Sequence, residues 1–227
     1  MATAGLIPMP IEELSPEALL TLMQWLSPSY PVGAFSYSHG LEWAVQAGDV
    51  FDVDSFQDWL SDIIQHGAGR NDVILLVAAY GAQDKAELLE VDTLARALSP
   101  SRERLMETAD QGAAFVRVTS DIWGLDMSEL TFAVAVGAAT SAAGFALGAT
   151  ARLFLQAFAG NLVSAAIRLV PLGQTEGQRC LASLSPLCLR TVEQALGQGI
   201  DDLGSCTFLA DIASMKHETQ YSRLFRS

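Results

Sequence analysis

Two short stretches of this chain gather the residue types that do chemistry. The first is Pro31-Val-Gly-Ala-Phe-Ser-Tyr-Ser-His-Gly-Leu-Glu42, which sets two serines, a tyrosine, a histidine and a carboxylate close together. Within it, Ser36-Tyr-Ser38-His-Gly40 differs from the Gly-x-Ser-x-Gly nucleophile elbow at its first position, where Ser36 replaces glycine. That elbow carries its serine between a strand and a helix, and here a helix precedes it. A serine hydrolase using Ser38 and His39 is the enzymatic alternative. The plainer reading is a helix-helix corner, turned by Pro31 and Gly33 and capped by Ser36 or Ser38.

The second stretch is Ser214 to Ser227, SMKHETQYSRLFRS. It mixes Met215, Tyr221, Leu224 and Phe225 with Lys216, His217, Glu218, Arg223 and Arg226. Tyr221, Leu224 and Phe225 fall at helical spacing, which predicts one docking face. The tail is locally basic on a chain of formal net charge -13. It should therefore dock, on its own body or on an acidic partner. Tyr221 and Arg223 are suited to charge-assisted bonds that lock it in place.

Other chemistries are poorly supplied. The histidines, His39, His66 and His217, are too far apart for any two to share a helix turn. Transition-metal sites need clustered imidazole or thiolate donors. Cys180 and Cys188 lie two helical turns apart, and with Cys206 they read as structural thiols in a reducing, cytosolic compartment. No phosphate-binding Gly-x-x-x-x-Gly-Lys occurs, and the only lysines are Lys85 and Lys216. The acidic balance excludes nucleic acid as a partner. No charged n-region or apolar h-region marks a leader at the N-terminus.

The elements that must position the two stretches read as helices throughout. Ser15-Pro16-Glu17 starts the first. Asp54 caps a helix with Phe56, Trp59, Leu60, Ile63 and Ile64 on one face, ended by Gly67 and Gly69. Further helices are expected over 71–80, 87–98 and from Pro100 to Trp123, the last closed by Gly124. Ser128 caps an Ala-rich helix, and a long one follows from about Ala149 to Val170. Thr175 and Gln178 form a capping box, and Pro186 starts the last helix before Gly197. Leu130 to Ala151 carries no charge, so a small-residue membrane bundle built on Gly144 and Gly148 is a second alternative. A close-packed helix pair accounts better for so much Ala, Gly, Ser and Thr. The expected fold class is all-α: a single-domain bundle of roughly nine or ten helices. Residues 1–14 form an N-terminal arm, 15–213 the domain and 214–227 a docking segment.

Three segments carry a family resemblance: Pro31 to Glu42, Asn161 to Thr175 (NLVSAAIRLVPLGQT), and Leu209 to Ser227. In this order they resemble the urease accessory protein F (UreF) family over nearly the whole chain. Ala34, where the family often has glycine, and Thr131-Phe132, where a proline is expected, depart from it. The resemblance implies a non-catalytic cytoplasmic adaptor for nickel insertion into apo-urease. It also implies a homodimer that binds accessory protein D (also called H) and the nickel-carrying GTPase G. Nickel and GTP are then handled by partners, and the chain holds no cofactor or metal of its own. Partner contacts are expected at Gly33, Phe35, Tyr37, Ser38, His39 and Glu42 in the corner. In the tail they are expected at Met215, Lys216, His217, Glu218, Tyr221, Arg223, Leu224, Phe225 and Arg226. The tail is expected to order against accessory protein D. Arg152 and Gln156, one turn apart on the long helix, are expected at the dimer seam.

Overall fold

The computed structural model describes residues 14–227; the expected N-terminal arm, Leu14 excepted, lies outside the described residues. Helices α1 (Pro16–Trp25), α2 (Leu41–Ala47), α3 (Val53–His66), α4 (Ala68–Gly81) and α5 (Lys85–Ala97) form the first half. Helices α6 (Arg102–Trp123), α7 (Phe132–Ala142), α8 (Leu147–Leu169), α9 (Gln174–Ala195) and α10 (Phe208–His217) complete it. No strand occurs among the described residues, so the all-α expectation holds.

The centre of the bundle is α4, packed against α3, α7, α8 and α9. The small residues of α7 explain how closely it approaches. A Cβ on Gly137 would sit 2.3 Å from the Leu76 carbonyl oxygen of α4. The uncharged stretch is thus a tight helix pair. No helix of the described residues is long and apolar enough to cross a membrane. Gly137→Ala must force two helix backbones apart. We expect a loss of about 3 kcal/mol or more, read from the urea midpoint.

Several helix ends differ from expectation. Asp52, not Asp54, caps α3, because its carboxylate takes the Ser55 N–H at 2.9 Å while Ser55 Oγ receives the Asp52 N–H at 3.0 Å. Gly69 lies inside α4 rather than ending α3. Thr131 rather than Ser128 precedes α7. At α9 the cap comes instead from Glu176, whose Oε2 receives the Gly173 N–H at 2.9 Å. Pro186 does not start a helix but sits inside α9. Proline there removes one bond, to the carbonyl of Ala182. The hydroxyls of Ser183 and Ser185 satisfy the neighbouring carbonyls of Cys180 and Leu181. Packing against α3 and α8 holds the helix through the defect.

Candidate docking site

The corner and the tail, 175 residues apart at Glu42 and His217, meet on one seat. Its floor is α6. Glu103, Glu107 and Asp110 recur at i, i+4 and i+7, so they line one face of that helix. A close approach brings α10 to α2: a Cβ on Gly40, whose φ is +79°, would lie 2.7 Å from the Ser214 nitrogen. Only glycine fits both that gap and that dihedral.

His217 is fully buried between two carboxylates. Its Nδ1 is 2.6 Å from Glu103 Oε2 and its Nε2 is 3.2 Å from Glu42 Oε2. Each ring nitrogen thus faces its own carboxylate. Glu103 also takes Arg223 at 2.8 Å. Glu42 accepts the backbone N–H groups of Leu224 at 2.6 Å and Phe225 at 2.9 Å. These bonds give the tail a path that is not helical. From Gln220 to Ser227 it runs as bends over the body, so Tyr221, Leu224 and Phe225 do not share a helix face.

The rest of the tail is tied to the corner. The Arg226 N–H donates to the Ser36 carbonyl at 2.7 Å, and the Ser38 N–H donates to the Ser227 carbonyl at 2.8 Å. Ser227 Oγ donates to Glu107 at 2.8 Å, and Tyr37 Oη donates to Asp110 at 3.0 Å. Desolvation, then the bond to Asp110, pushes the Tyr37 phenol up to about 12, so it stays a donor. Arg168 of α8 donates to the Phe35 carbonyl at 2.6 Å and lies 4.1 Å over the buried Phe225 ring. That geometry fits a cation–π contact. Arg102's N–H donates to Glu218 Oε1 at 2.8 Å.

The expected contact residues therefore divide. Tyr37, Ser38, Glu42, His217 and Phe225 are buried and build the seat, while His39 is buried but turned into the core. Glu218 is half-buried, and Gly33 is a left-handed turn with open space around its Cα. Phe35, Met215, Lys216, Tyr221, Arg223, Leu224 and Arg226 are exposed, Arg223 and Arg226 while also paired with Glu103 and Asp110. On α8, Arg152 is exposed and Gln156 half-buried.

Sequence reasoning missed the acidic face of α6, although its spacing opposite a basic tail was a usable signal. It also missed a ledge on α10. Phe208, Leu209, Ile212 and Met215 leave 70%, 66%, 49% and 49% of their surface in solvent. Phe208, Ile212 and Met215 recur at i, i+4 and i+7 and so share one exposed face of α10, and uncovered apolar side chains of this kind mark protein interfaces.

The geometry overturns the hydrolase alternative. Ser38 Oγ donates to the Ser227 carbonyl and accepts the Glu42 N–H, so it is fully used. His39 turns away at φ +60°, edge-on to Phe158 at 5.4 Å, and no bond joins it to Ser38. Burial, then Arg104, holds its imidazole well below the ordinary range and hence neutral. Among the described residues no group of three or more His, Cys, Asp or Glu side chains is placed to hold a metal. Cys180 and Cys188 are buried free thiols and Cys206 an exposed one.

Behind the seat, a cavity of about 110 Å³ is lined by His39, Asp72, Arg104 and Ser214 among others. Burial pushes the Asp72 carboxyl up to about 6, with Arg104 opposing the rise. An unfolded aspartate titrates near 4, so the folded chain holds the extra proton between about pH 4 and 6. Stability from this group is present below pH 4 and is lost as pH rises through 6. Asp72→Asn should therefore stabilise by up to ~3 kcal/mol at pH 7.5 and by nothing at pH 4, measured by urea unfolding.

A family model, UreF, matches residues 50–185. Urease accessory protein UreF from Ruegeria pomeroyi is 52% identical over 209 residues, covering 92% of this chain and 96% of its own. The chain belongs to the UreF family. The counterpart from Roseobacter denitrificans is 50% identical, covering 94% of this chain and 96% of its own. One from Rhodopseudomonas palustris strain HaA2 is 48% identical over the full chain and 99% of its own. As a UreF-family member the chain is a urease accessory protein, and its work lies with the other proteins of urease maturation. The three segments that suggested this family include both halves of the seat.

Proposed function

We propose that this chain is the adaptor of a nickel-insertion assembly for apo-urease, acting in the cytoplasm as a homodimer. It binds accessory protein D (or H) through the α10 ledge and the seated tail. It recruits and regulates the nickel-carrying GTPase G through the corner beside them. It performs no bond-breaking step itself, and nickel and GTP stay with its partners.

The observation that supports this reading most is the seat. A basic tail is clamped onto the Pro31–Glu42 corner by buried carboxylates, and large apolar side chains stand unburied beside it. A clamp of this kind fixes the corner backbone at Ser36 and Ser38 in one shape. A partner that covers the ledge stabilises that shape by mass action. Binding on the ledge and presentation of the corner are thereby coupled.

The adaptor reading is tested by co-expressing urease subunits with the other accessory proteins, with and without this chain. Nickel-loaded, active urease is expected only when the chain is present. Equal nickel content without it contradicts the proposal. The proposed dimer seam lies on α8, and the exposure of Arg152 there supports it. Arg152→Glu should convert the dimer to monomer by light scattering, and an unchanged mass would remove that seam.

A further inference from the structure

Next to the seated tail lies an open groove of about 530 Å³, lined by Arg102, Glu103, Met106, Glu218, Arg223, Leu224, Phe225 and Arg226. Three arginines converge there on a chain of net charge -13. Its two carboxylates are already committed. Glu103 is held by His217 and Arg223, and Glu218 accepts the Arg102 backbone N–H. The cations are committed only in part. No carboxylate lies within 4.0 Å of the Arg102 guanidinium among the described residues. Arg226 reaches Asp110 only at 3.5 Å, with its side chain 57% exposed. Arg223 uses one nitrogen on Glu103 and is 41% exposed. Leu224 adds an uncovered apolar edge.

We propose that this groove receives an acidic, extended segment of a partner protein, with an apolar side chain set against Leu224 and Met106. The inference rests on reading the seated tail as a docking platform, and names the chemistry of what docks. Charge complementarity is the argument. Arginine forks present several N–H donors in the geometry carboxylates accept. The acidic body does not forbid the approach, because at physiological salt charges beyond about 8 Å are screened. The arginines of the groove then set the local potential. The groove exists only while the tail is seated, since Arg223, Leu224, Phe225 and Arg226 all come from it.

The test is fluorescence anisotropy with a labelled ten-residue Asp/Glu peptide carrying a central Leu-Trp pair, titrated with the full chain. Binding should weaken several-fold between 50 and 300 mM salt. It should fall at least tenfold in Arg102→Glu and recover in Arg102→Lys. Arg102 sits in the exposed first turn of α6 and its side chain makes no bond to the body, so the variant should fold, as circular dichroism will check. Equal binding by Arg102→Glu overturns the proposal. So does displacement of the peptide by equimolar tripolyphosphate, which would make the groove a phosphate site. Failure of the platform reading appears separately, as no complex between the wild-type chain and accessory proteins D and G.

Discussion

Glu42→Ala should release the tail. The Glu42 carboxylate receives the Leu224 and Phe225 N–H groups and faces His217, the first bond part-buried and the other two buried. Removing it leaves two backbone donors unsatisfied and His217 Nε2 without its partner. Unsatisfied buried donors cost roughly 1–3 kcal/mol each. The remaining ties, at Ser36, Ser38, Glu103 and Glu107, flank this point, so the loss falls on the middle of the tail, where Glu42 alone holds the Leu224 and Phe225 backbone. Amide exchange should show residues 220–227 losing protection while α3, α4 and α7 keep theirs. Binding to accessory protein D should weaken with it. Unchanged protection in the tail would show that the carboxylate clamp does not hold it.

Ile212→Glu should abolish binding to accessory protein D, by a hundredfold or more, and leave the fold intact. Ile212 is half exposed at the middle of the α10 ledge, so the body loses little. In a complex the same side chain lies at the centre of the buried face. A charge buried there without a partner costs several kcal/mol, and central interface residues commonly carry about 2–4 kcal/mol each. Titration calorimetry reads the affinity and circular dichroism the fold. Retained affinity would move the binding site off the ledge.

Much of the fold was legible because it is written locally. Ser15-Pro16-Glu17, the stripe from Phe56 to Ile64 and the left-handed Gly124 are signals within one turn of the chain. Pro186 misled because a proline reads as a break when its neighbours in space are unknown. Here α3 and α8 hold the helix on either side. The site was legible as two separate stretches but not as one seat. No local pattern says that Glu42 will cap Leu224 and Phe225 across 182 residues and so pull the tail out of helical register. The tail's charge did predict docking, and its first acceptor is the body itself. His39 shows the reverse error. A histidine directly after a serine suggests catalysis, but its backbone turns the ring into the core against Phe158. The ledge went unnoticed because Phe208, Leu209, Ile212 and Met215 have the helical spacing of a core face. Only the packed structure shows that nothing covers them.

The central claim is that the seated tail and the α10 ledge bind accessory protein D and bring in the GTPase. It is tested most directly by co-expressing this chain with accessory proteins D and G. The full chain is compared with one ending at Ala213, by size exclusion with light scattering. The account predicts a stable complex of all three proteins with the full chain. With the truncated chain it predicts no complex, and a far-ultraviolet spectrum that still shows the helical body. A truncated chain that still assembles with both partners would contradict it.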